Sequence, residues 1–154
     1  MRKLLPLLVV LVALVPGFAA ADHEDEVPLV VVNGLVKEAN LVSSGSDFCR
    51  TVKVELAKQS YPADPEGESK LIESYAFKVR QHWNNAQVTI NNAVRYGLDL
   101  AWLSGAWEDG VNDSLYRNFE VSSASPFYYS VNLRESADFK NETYICVSIL
   151  AVRP

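Results

Sequence analysis

From Val27 onward the apolar positions recur mostly every second residue, the spacing that turns one face of a β-strand to a core and the other to water. Val52, Val54 and Leu56 alternate with Thr51, Lys53 and Glu55, and Phe127, Tyr129, Val131 and Leu133 alternate with Tyr128, Ser130, Asn132 and Arg134. Each run predicts a half-buried strand. Tyr144 to Val152 is apolar on both faces, which predicts a central strand covered on both sides. Leu29 to Lys37 is a further strand candidate, and its Asn33-Gly34, a type I′ turn signal, would fold it into a small hairpin with Leu35 to Val42. Tyr61-Pro62-Ala63-Asp64-Pro65-Glu66-Gly67 reads as a loop.

Ser69 to Trp83 fits two periods. Tyr75, Phe77, Val79 and Trp83 suit a strand, whereas Leu71, Ile72, Tyr75, Ala76, Val79 and Trp83 trace a helical face. Strand is the better reading, because a helix would leave Phe77 outside. Val88 and Ile90, then Tyr96, Leu98, Leu100 and Trp102, continue the two-residue period, with Asn84-Asn85 and Asn91-Asn92 as turn residues. About seven to nine short strands in one domain over residues 28–154 predict an all-β fold, an antiparallel β-sandwich. A small β-barrel is the alternative, or an α+β fold if 69–83 is helical. Tyr144-Ile145-Cys146 after an acidic turn has the local look of an immunoglobulin F strand, but no tryptophan follows Cys49 at the distance that family requires, so membership does not follow.

The N-terminus changes the picture by giving an address. Arg2 and Lys3, the apolar run Leu4 to Val15, Pro16-Gly17 and Ala19-Ala20-Ala21 form a secretory signal peptide over residues 1–21, with cleavage expected after Ala21. Pro16-Gly17 interrupts the run short of the roughly 20 residues a membrane span needs. Residues 22–27, Asp22-His23-Glu24-Asp25-Glu26-Val27, are expected to be a flexible acidic N-terminus. The mature chain is expected to be free of the membrane and secreted, into the periplasm if the source is Gram-negative.

Charge narrows the partners. The full chain carries a formal charge of -5, and loss of Arg2 and Lys3 leaves 12 basic against 19 acidic residues, or -7. With its basic residues scattered singly among acids, the chain lacks the cationic cluster that nucleic acid or an anionic membrane selects. Its two cysteines, Cys49 and Cys146, are most simply one intramolecular disulfide in an oxidising compartment, tying an early strand to the last one.

Catalytic signatures are mostly absent: there is no G-x-S-x-G elbow, phosphate-cradling glycine loop or zinc helix motif. His82 reads as a surface histidine. Suggestive groups gather between Asp99 and Ser114, where Trp102 and Trp107 precede Glu108, Asp109, Asn112 and Asp113. Indole faces pack on the apolar faces of a pyranose while carboxylates and amides take its hydroxyls, which makes these six residues the candidate ligand site. Trp102 continues the Leu98, Leu100 face and is expected in the core, leaving Trp107 as the exposed ring. Calcium is a weaker cofactor candidate: Asp109, Asp113 and Glu120 fall on an EF-hand count, but Val111 and Ser114 occupy positions that need a carboxylate and a glycine, which removes the motif and leaves a looser loop site built from Asp109, Asn112 and Asp113 oxygens. Asn112 and Asn141 open N-glycosylation sequons if the source is eukaryotic.

These observations favour a secreted, non-catalytic binding or interaction module whose partner is a glycan or an extracellular protein. Two alternatives accompany it. One is a small extracellular glycoside hydrolase using the carboxylates of Asp99 to Asp113. The other is an envelope or coat subunit that assembles by strand addition through Tyr144 to Val152.

Overall fold

The computed structural model describes residues 29–57 and 69–152. The signal peptide, the acidic 22–27 segment and the Tyr61 to Gly67 loop lie outside the described residues. The chain divides into two units, Met1–Asn33 and Gly34–Pro154. In the first, the described residues 29–33 are helical. The second contains all the described strands.

Residues 29–38 (α1) are helical, so the hairpin expected at Asn33-Gly34 is not formed. Gly34 serves a different purpose from a turn. A Cβ built there would lie 2.8 Å from Leu98 Cδ2, and one on Gly97 would lie 2.8 Å from Glu38 Cγ, so two glycines permit a close approach that larger residues would block.

After a two-residue strand, β1 (Val42–Ser43), the segment read as a strand through Val52, Val54 and Leu56 is a helix, α2 (Asp47–Leu56). Ser46 caps it by accepting a 3.1 Å bond from the Phe48 backbone N–H, and Asp47 and Lys53 suit the two ends of the helix dipole. Phe48, Cys49, Val52 and Leu56 are buried along one stripe, while Val54 is exposed. The strand β2 (Ser69–Val79) follows the two-residue period as preferred. The chain then enters α3 (Trp83–Asn92), where Asn84-Asn85, Val88 and Ile90 had been expected to make a turn and a strand. His82 caps this helix, its Nδ1 accepting from the Asn84 N–H at 3.2 Å.

The remaining strands are β3 (Ala101–Trp102), β4 (Glu108–Asp109), β5 (Leu115–Glu120), β6 (Phe127–Glu135) and β7 (Thr143–Val152). All pair antiparallel in one seven-stranded open sheet of order β1-β2-β7-β6-β5-β3, with β4 also on β5. The described architecture is therefore α+β, one sheet with three helices instead of two facing sheets. Its helices differ from the 69–83 helix on which that alternative had rested. Helices, not a second sheet, supply the apolar cover.

Register sorts the side chains. Trp102, Phe119, Tyr129 and Ile149 form one row on a face shared with Val131, Val147, Leu133 and Ile145. The opposite face carries Tyr128, Cys146 and Leu150, which pack under Phe48, Cys49, Val52 and Leu56 of α2. Across that face runs a polar row, Ser74, Ser148, Ser130 and Asn118, in which Ser74 Oγ and Ser148 Oγ are 2.8 Å apart. β7 is central and covered on both faces, as its composition predicted. The disulfide joins Cys49 to Cys146 across 97 residues with Cα atoms 5.1 Å apart, so the bridge is intramolecular but ties a helix, not an early strand, to β7.

Candidate functional site

The end of α3 shapes a groove. Its last turn widens into a π-helical turn, Ala93–Gly97, closed by Leu98 N–H donating to Ala93 O at 2.8 Å. One extra residue in a turn shifts the outward faces, and here it leaves Arg95 and Tyr96 exposed while Ala93 and Val94 stay buried. Asp99 then takes a left-handed conformation, φ 56°, which aspartate tolerates better than most residues, and the chain enters β3. Arg95, Tyr96, Asp99, Trp102, Ser104 and Arg117 line the resulting groove of about 490 Å³.

Arg117, from β5, is the centre of a fixed network. Its Nε and Nη2 donate to the Ser104 carbonyl at 3.2 and 2.7 Å, and its Nη1 donates to Asn91 Oδ1 at 2.9 Å. Asn91 Oδ1 also accepts from Trp107 Nε1 at 3.0 Å, so one amide on α3 ties β5 to the loop after β3. The guanidinium carbon stands 4.6 Å from the Trp102 ring centroid, a cation–π contact. Burial and the neighbouring Arg95 charge hold the Arg117 pKa below its ordinary value. Among the described residues neither arginine makes an ion pair with a carboxylate. Behind the guanidinium, four rings are in succession: Trp107 to Trp102 at 5.6 Å, Trp102 to Phe119 at 5.5 Å and Phe119 to Tyr129 at 4.9 Å. Trp102 Nε1 and the Tyr129 hydroxyl are buried within this cluster without a hydrogen-bond partner among the described residues.

The six residues named from sequence separate into two groups. Trp102 and Trp107 come together as described, and both are half-buried, so neither is the simple core ring or the simple exposed ring expected. Glu108 and Asp109 lie on β4 opposite Tyr116 and Leu115, while Asn112 and Asp113 follow in a short 3-10 turn with left-handed φ of 50° and 59°. All four are exposed. Asp109 lines a different cavity, about 310 Å³, with Val52 and Leu56 of α2, Tyr116 and Asn132. Glu108 acts on Tyr116, whose phenol is pushed up first by burial and then by that carboxylate. Among the described residues no three His, Cys, Asp or Glu side chains gather as a metal site. Asn112 and Asn141 are exposed, whereas Ser114 and Thr143 of their sequons are buried. Both cysteines are in the disulfide, and the described residues contain no free thiol.

Sequence reasoning missed Arg95, Tyr96, Asn91 and Arg117. For Arg117 a signal existed: in Leu115-Tyr116-Arg117-Asn118-Phe119 it occupies a position that alternation assigns to the buried face. Comparison with known proteins finds no family model, no curated protein and no solved structure that matches this chain.

Proposed function

We propose that the protein is an exported, non-catalytic binding module that takes a saccharide in the groove beside β3. The observation that carries this reading is the convergence of aromatic rings, Tyr96 and Trp102, with the polar groups of Asp99, Ser104 and Arg117 around one groove. Rings offer flat apolar surface to a pyranose, and the polar groups bond its hydroxyls. Export by the 1–21 signal peptide agrees with the disulfide, which is a bond of oxidising compartments.

The groove supports binding over hydrolysis. A glycosidase needs two carboxyl groups facing one scissile bond, and among the described residues Asp99 is the one carboxylate residue lining this groove. Asp109 lines the other cavity. Assembly by strand addition through β7 is also unsupported, because β2 and β6 already occupy both of its edges.

Titration of the disulfide-bonded protein with a panel of oligosaccharides, followed by tryptophan emission, tests the reading. The expected result is a saturable change that Trp102→Ala abolishes and that is not followed by hydrolysis of the sugar. Turnover that is lost in Asp109→Asn or Glu108→Gln would overturn it in favour of the hydrolase.

A further inference from the structure

Resting on the saccharide reading of this groove, we infer that the bound sugar is acidic and places a carboxylate, as in a uronic acid residue, between Arg95 and Arg117. The argument begins with charge. In a chain with 19 acidic and 14 basic residues, two guanidiniums line one groove with no ion pair to either among the described residues. The Arg95 charge disfavours the Arg117 cation, and an anion between them relieves that repulsion.

Arg117 is prepared for such a partner. A guanidinium has five N–H donors, and Ser104 O and Asn91 Oδ1 engage the Nε, one Nη1 and one Nη2 donor, leaving one on each terminal nitrogen. The Trp102 ring beside it and these three bonds fix its orientation before ligand arrives, so little side-chain entropy is lost on binding. Arg95 is exposed, and its guanidinium carbon rests 5.6 Å from the centroid of the Tyr96 ring, which also lines the groove. A planar carboxylate matches the guanidinium fork, and Tyr96, Asp99 and Ser104 line the same groove where the attached ring would sit.

The test is titration by calorimetry and tryptophan emission with four probes: a uronic acid oligosaccharide, its carboxyl-reduced form, a neutral oligosaccharide and a sulfated one. We expect the uronic acid form to bind, with reduction of its carboxyl weakening it about tenfold or more, the effect of one charge-assisted hydrogen bond. Arg95→Gln, at an exposed position, and Arg117→Gln should each erase the difference between the acid and its reduced form. Equal binding of the acid and reduced forms would overturn the inference and leave the saccharide reading standing. Tighter binding of the sulfated probe would overturn the carboxylate assignment. No binding of any probe would overturn the saccharide reading itself, and the inference with it. Retention of the preference in Arg95→Gln would overturn the shared role of the two arginines even if Arg117→Gln failed to fold.

Discussion

Tyr129 shows how a single residue sets a measurable property. Its ring is fully buried and stacked on Phe119, yet its hydroxyl has no hydrogen-bond partner among the described residues, and burial pushes its pKa up to about 12. A buried polar group without a partner costs about 1–3 kcal/mol, so Tyr129→Phe, which keeps the ring, should raise stability by about 1 kcal/mol in urea titration. A loss of stability would show that the hydroxyl has a partner. The pH dependence follows in sign: the folded phenol holds its proton where the unfolded one, near 10, has released it. Stability is then fully present below pH 10 and falls by about 1.4 kcal/mol per pH unit between about 10 and 12. Tyr129→Phe should flatten that slope. At this scale the sequence was partly legible. The alternation of Phe127, Tyr129, Val131 and Leu133 placed Tyr129 on a buried face, but Tyr128, Ser130 and Asn132, expected on a wet face, are buried too because α2 covers that side; Trp102 and Trp107, both named for the candidate site, have ring centroids 5.6 Å apart. The partners of Arg117 were not legible, since Asn91, Ser104 and Arg117 meet only after three elements pack.

At the scale of elements, the misreading of α2 has a specific cause. Val52, Val54 and Leu56 happen to alternate, but the buried set is Phe48, Cys49, Val52 and Leu56, whose spacing is helical. Ser46-Asp47, a good cap followed by an acidic first turn, was the signal that outweighed the β-branched residues. Substitution separates the two descriptions. Val54→Asp should change stability by less than about 0.5 kcal/mol, because Val54 is 51% exposed, whereas Val52→Asp, at 1% exposure, should cost several kcal/mol or prevent folding. Comparable losses at both sites, measured by thermal melting, would contradict the helix. In α1 and α3 the asparagines misled in the same way: Asn33-Gly34 and Asn84-Asn85 have turn chemistry, but both pairs are helical. The close approach of Leu98 to Gly34, not backbone freedom, accounts for that glycine, and Gly34→Leu should destabilise through overpacking by about 1–3 kcal/mol. The long strands were legible on different grounds: β6 from its alternation, β7 from a run apolar on both faces, and β2 because a helix would have left Phe77 outside.

For the whole molecule, the strand pattern gave an all-β reading that the helices overturned, since a one-sheet fold needs helical cover on its apolar faces. The cysteine count, by contrast, specified the right covalent link. The bridge closes a loop of about 100 residues, for which chain entropy contributes about 4.7 kcal/mol, so reduction, or Cys146→Ala, should lower the urea-unfolding free energy by about 2–5 kcal/mol. An unchanged unfolding curve in reductant would mean that the bridge adds little beyond the packing of α2. The position of β7 also has a consequence in time. It joins β2 on one side to β6 on the other, so until Thr143–Val152 has been synthesised the sheet is two separate pieces, and Cys49 has no partner. Completion of the sheet and closure of the disulfide therefore both wait on this one strand, so the described fold depends on contacts that are distant in sequence and slow to form.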